Sequence, residues 1–136
     1  MSTPEDPAVH DPDVVDLATT IFDLARSGDT ETLDAYLEAG APVNLTNDSG
    51  DTLVMLAAYH AHPDTVARLC ERGADVNRLN DRGQSPLAGA VFKGADAVVE
   101  VLVANGADPA AGHPSAADSA RMFGKEQYLR LFDRNR

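Results

Sequence analysis

Apolar positions along the chain fall into short helical clusters separated by glycine and asparagine breaks. Val14, Leu17, Ala18, Ile21 and Ala25 follow the i, i+3, i+4, i+7, i+11 spacing of one helix face. Asp13, after Pro12, is placed to cap that helix, with Asp16 in its first turn where negative charge suits the dipole. Ser27-Gly28-Asp29 breaks it; Thr32, Leu33, Tyr36 and Leu37 form a second, shorter helix, and Gly40 stops it because glycine accepts positive φ without strain. A polar stretch, Asn44 to Gly50, has the composition of a projecting hairpin turn. The sequence then repeats the theme. Thr52 opens a helix with Leu53, Leu56 and Ala57 inward, a turn follows at His60 to Pro63, and Val66, Leu69 and Cys70 mark the next helix before Gly73. Asn80 to Gly83 is again a turn, Ser85-Pro86-Leu87 a helix start with proline where its missing N–H costs nothing, and Gly94 a break. Val98 to Val103 alone resembles a strand, being rich in β-branched residues. Its register with Thr32–Leu37 and Thr65–Cys70 makes it a helix.

One phrase recurs between these clusters: Gly40-Ala-Pro-Val-Asn44, Gly73-Ala-Asp-Val-Asn77 and Gly106-Ala-Asp-Pro-Ala110, at a spacing of 33 residues. A fixed period of this size marks a stack of similar units, each burying its apolar face on its neighbours. In the last unit Ser115, Ala117, Ala120 and Gly124 stand 30 residues after Ser85, Leu87, Ala90 and Gly94, so its hairpin is three residues shorter. Leu129 and Phe132 then match Val99 and Leu102, while Arg121, Lys125, Gln127 and Arg130 make the end layer polar. The pattern predicts an all-α solenoid of about four helix-turn-helix units with projecting hairpins. Residues 1–12 read as a disordered acidic tail, and 13–136 as the repeat domain, divided into 13–46, 47–79, 80–109 and 110–136.

Composition narrows the function. The 136 residues carry 22 acids against 11 Lys and Arg, a net charge of −11, with five acids and no base in residues 1–16. Nucleic acid and anionic membrane both call for basic surface, so neither is an expected partner. The single cysteine, Cys70, excludes an internal disulfide, and the N-terminus lacks the apolar run of a signal peptide. These features lead to the expectation of a cytoplasmic protein and a monomer. Arginine far exceeds lysine and alanine and aspartate abound, as in GC-rich bacterial genomes.

Gly50-Asp-Thr52, Ala57-Ala58, Gly83-Gln-Ser85-Pro-Leu87 and the recurring phrase together resemble ankyrin repeats over residues 14–134, and the chain is similar to small stand-alone bacterial ankyrin proteins. The family's Thr-Pro-Leu-His opening here reads Thr52-Leu-Val-Met55 and Ser85-Pro-Leu-Ala88, so its histidine bridge between repeats is missing, and Ala61 stands where a turn glycine is usual. The resemblance implies a protein-binding module, an adaptor or regulator, that docks an unidentified protein on a face of hairpin tips and inner helices. The matching tip positions are Asp48, Ser49, Asp51, Asp81, Arg82 and Gln84. The inner positions are Arg26, Ser27, Tyr59, His60, Phe92, Lys93, Met122 and Phe123. A Tyr59–Phe92–Met122 stripe is then the anchor, since aromatics and methionine are enriched in interfaces.

Other chemistry is sparse. His60-Ala-His62 invites a metal or small-ligand reading together with the acidic tips, but His62 sits at a helix start and no Cys or carboxylate has ligand spacing with the pair. No glycine-rich phosphate loop and no nucleophile–base set is apparent, the serines lying at caps and turns. The expectation is a non-enzymatic protein with no cofactor, no metal and no catalytic residue.

Overall fold

A computed structural model describes residues 12–135. Eight helices and no strand occur among them: α1 (Pro12–Ser27), α2 (Thr30–Glu38), α3 (Leu53–Tyr59), α4 (Pro63–Glu71), α5 (Pro86–Lys93), α6 (Asp96–Ala104), α7 (Ala116–Met122) and α8 (Glu126–Arg134). The helices form two rows. An inner row stacks α1, α3, α5 and α7 side by side, and an outer row stacks α2, α4, α6 and α8 behind it. Val98 to Val103 is helical, within α6, because tight layer packing overrides its β propensity. Helix α1 already includes Pro12 and Asp13, so Asp13 lies inside the first turn and not at the cap; proline's fixed φ suits that position. Of the tail expected over residues 1–12, residues 1–11 lie outside the described residues.

Each inner helix after the first starts the same way. The hydroxyls of Thr52, Ser85 and Ser115 accept from the N–H groups of Met55, Ala88 and Asp118, satisfying an otherwise orphaned donor at each helix start. Between inner and outer helix the chain turns through a left-handed residue, at Gly28, Ala61, Gly94 and Gly124. Ala61, at φ 61°, is the non-glycine member of that set. One continuous core runs through the layers, including Leu33, Leu53, Val66, Leu69, Leu87, Val98 and Leu102, all essentially inaccessible to water.

The recurring phrase is the joint between units. Asn44 Oδ1 accepts from Asp75 N at 2.9 Å, and Asn77 Oδ1 accepts from Asp108 N at 2.7 Å while its Nδ2 donates to Gly106 O at 3.1 Å. Each asparagine at the end of one copy thus holds the backbone of the next copy. On the outer row Arg72 forks onto Asp34, with Nε at 2.9 Å and Nη2 at 3.1 Å, and reaches Glu38 at 2.7 Å. Arg68 adds contacts to Asp34, Glu31 and Glu71. These ion pairs tie α2 to α4. Farther along the row the Tyr128 hydroxyl bonds the Asp96 carboxylate, tying α8 to α6.

Candidate functional site

The hairpins are organised by asparagine. Asn47 Oδ1 accepts from the N–H groups of Ser49 and Asp51, and Asn80 Oδ1 accepts from those of Arg82 and Gln84, each at 3.0 Å. This side-chain mimicry of a turn holds both tips in one shape. The tips are then bonded to each other: Asp81 N donates to Ser49 O at 3.0 Å, and Asn80 Nδ2 donates to Asp51 Oδ1 and to Gln84 Oε1, both at 2.9 Å. A third link joins His113 N to Gly83 O at 2.9 Å, across to the shortened last hairpin. Approach is close enough that a Cβ on Gly50 would sit 2.5 Å from Asp81 Oδ1.

Six tip positions were expected from the sequence, and the structure divides them. Asp48, Ser49, Asp81 and Arg82 project into solvent, whereas Asp51 and Gln84 also serve the brace through Asn80. On the inner row the large apolar residues expected at the stripe are exposed. Tyr59 is 43% exposed, Phe92 62%, Met122 70% and Phe123 47%, high values for large apolar side chains. The Phe92 and Phe123 rings meet edge to face at 5.8 Å, so they pack on each other while remaining open to solvent. Tyr59 meets the His60 ring edge-on at 5.6 Å and carries Lys93 Nζ over its face at 4.8 Å, a cation–π contact.

Between hairpins and inner row lies a groove of about 460 Å³. It brings together Arg26, Asp51, Tyr59, His60, Arg82, Gln84 and Phe92 of the expected residues, but Ser27, Asp48, Ser49, Asp81, Lys93, Met122 and Phe123 lie outside its lining. Arg26 closes one end. Met55 and Ala88, both buried, contribute to its floor, and Pro114 and Ser119 contribute from the last unit. Met55 and Ala88 were not anticipated as lining. Their signal was present, since they are 33 residues apart and fill the place where the repeat motif has histidine. Pro114 was hidden by the shortened hairpin. A second, more polar cleft, of about 930 Å³, opens at the end of the stack between the last hairpin, α7 and α8.

The two histidines part company. His62 Nε2 lies 2.7 Å from Arg26 O, and the ring presses on Gly28, where an added Cβ would fall 2.5 Å from Nδ1. It is a structural stitch between the first two turns. His60 is exposed, and its pKa is lowered by partial burial and then by the nearby positive charge of His62, Arg26 and Lys93. Among the described residues no three His, Cys, Asp or Glu side chains gather as a metal site. Burial pushes the Cys70 thiol up, away from the thiolate form. The Ser85 and Ser115 hydroxyls are engaged as caps. No helix among the described residues is long and apolar enough to cross a membrane.

The family profile described as ankyrin repeats, in three copies, matches residues 21–112. A stretch of 46 residues, 34% of the chain, is 54% identical to a Pseudomonas aeruginosa protein named for its ankyrin repeats, and spans 27% of that protein's length.

Proposed function

The chain belongs to the ankyrin repeat family, whose stacks are in general protein-binding modules, and on that premise we propose that it acts as a non-enzymatic adaptor or regulator docking a partner protein on its hairpin and inner-helix face. The supporting observation is the exposure of Tyr59, Phe92 and Met122 along the inner-row helices, with Tyr59 and Phe92 lining a groove that a partner's side chains can enter. Anchors of this type dominate binding energy when a partner desolvates them. Asp48, Ser49, Asp51, Asp81, Arg82 and Gln84 at the tips, with His60 and Lys93, set orientation around that anchor. The module works as a monomer in the bacterial cytoplasm, a setting that suits a single half-buried thiol and strong net negative charge.

Retention of a partner from native-cell extract on the immobilised full chain tests the reading. Wild type retains a protein that a Tyr59→Ala, Phe92→Ala double variant of unchanged helicity releases. Equal retention by both removes the stripe as anchor. The rival reading, a metal or small-ligand carrier built on His60 and His62, loses support because His62 Nε2 already faces the Arg26 carbonyl.

A further inference from the structure

The charge lining the groove runs against that of the molecule. The chain carries 22 acids and 11 Lys and Arg, yet the groove is lined by Arg26, His60 and Arg82 and, among the described residues, by the carboxylate of Asp51 alone. That carboxylate is engaged at both oxygens, accepting from Asn80 Nδ2 at 2.9 Å and from Asn47 Nδ2 at 3.4 Å. Lys93 adds an ammonium at the rim, over the Tyr59 ring.

The cations of the molecule are answered unevenly. On the outer row Arg68 and Arg72 are each matched to several carboxylates. Arg26 is paired with Asp23 at 2.9 Å within its own helix. Among the described residues Arg82 and Lys93 have no carboxylate partner, as is true also of Arg78 and Lys125 away from the groove. What sets the groove apart is the gathering of Arg26, His60 and Arg82 around one carboxylate that is already engaged. Unanswered charge on the wall of a concave, partly apolar groove is focused there, and it favours a partner of opposite sign.

We infer that the partner enters this groove with an acidic segment that pairs a side-chain carboxylate with Arg82 and Lys93 and lays an adjacent aromatic or aliphatic side chain on Tyr59 and Phe92. The inference rests on the docking function proposed above and gives that function its specificity. A lysine- or arginine-rich segment is excluded by the same cations. His60 reports on the charge of the occupant: in the free protein partial burial and then the positive charge of His62, Arg26 and Lys93 hold its pKa down, and a carboxylate placed among them opposes the charge part of that influence.

A phage-displayed library of random peptides, selected on the full-length chain, tests the inference. Peptides retained by wild type and lost on the Tyr59→Ala, Phe92→Ala variant define groove binders. These are expected to carry Asp or Glu beside an aromatic or aliphatic residue. Synthetic versions are expected to weaken about tenfold on Arg82→Glu, Lys93→Glu charge reversal and to regain affinity when the peptide acid is replaced by lysine. The milder Arg82→Gln, Lys93→Gln pair gives a smaller loss, and NMR titration shows a higher His60 pKa in the complex with the acidic peptide than in the complex with its Asn or Gln counterpart. Groove binders without acidic enrichment, or indifferent to charge reversal, overturn the inference while leaving the docking face intact. If no selected peptide depends on Tyr59 and Phe92, the docking face falls and the inference falls with it.

Discussion

Ala61 carries a strain that its counterparts avoid. The equivalent turns use Gly28, Gly94 and Gly124, whereas Ala61 holds φ at 61°, where a Cβ crowds the following carbonyl. Ala61→Gly is therefore expected to stabilise the protein by about 1 kcal/mol, the relief being trimmed by the extra freedom glycine brings to the unfolded chain. Urea unfolding would show a higher midpoint, and a lower one would mean that the turn relaxes some other way. This residue was visible in the sequence because the period marks where glycine should be. Tyr128 was not. It stands in register with Val98, but its hydroxyl partner, Asp96, sits 32 residues away on another helix, where periodicity gives no sign of a polar pair. The stitch between His62 and Arg26 O was likewise invisible beyond the expectation of a structural role, since its acceptor is a backbone carbonyl.

At the level of helices, the starts of α3, α5 and α7 followed from their caps while that of α1 did not, and even Val98 to Val103 was resolved by register. The clamp joining α2 to α4 was unreadable, because Asp34, Arg68 and Arg72 belong to no repeated motif. Its electrostatics give a pH signature. The Asp34 carboxyl is held below the usual carboxylate range chiefly by its hydrogen bonds from Arg72, with added attraction from Arg68. A carboxyl with a depressed folded-state pKa stabilises the fold above its unfolded pKa, and that contribution is lost as pH falls through the folded value. Asp34→Asn should therefore lower the melting temperature near neutral pH. The gap from wild type should close progressively below about pH 4. A gap of constant size down to the acid limit would show that the clamp acts through packing and hydrogen-bond shape instead of charge.

Across the whole molecule, among the described residues, the main helix contacts run between adjacent layers, so the middle layers have two neighbours and the outer ones a single described neighbour. Leu87, fully buried at the start of α5, belongs to the middle. Leu87→Ala is expected to cost about 2–5 kcal/mol in chemical denaturation, the range for a buried leucine whose site cannot collapse. Native-state hydrogen exchange should find the slowest amides in α3 and α5 and faster ones in α1 and α8; the reverse order would place the nucleus of stability at an end. The exposed aromatic pair was legible at this scale through the 33-residue spacing of Tyr59 and Phe92. The groove's charge was not, because Arg26, His60 and Arg82 come from three separate segments that only the stacked fold brings around one volume.

The link between the first two hairpin tips runs from the Asp81 amide to the Ser49 carbonyl, and the third tip is joined by the His113 amide to the Gly83 carbonyl. Those atoms belong to the backbone and are present whatever side chains stand at positions 48 and 49, and at 81 for every residue but proline. The lineage can therefore rewrite its tips one codon at a time without rebuilding the frame that displays them. Under the proposed docking function, changes at positions 48, 49 and 81 alter recognition while the frame that also engages Asp51 and Gln84 is kept.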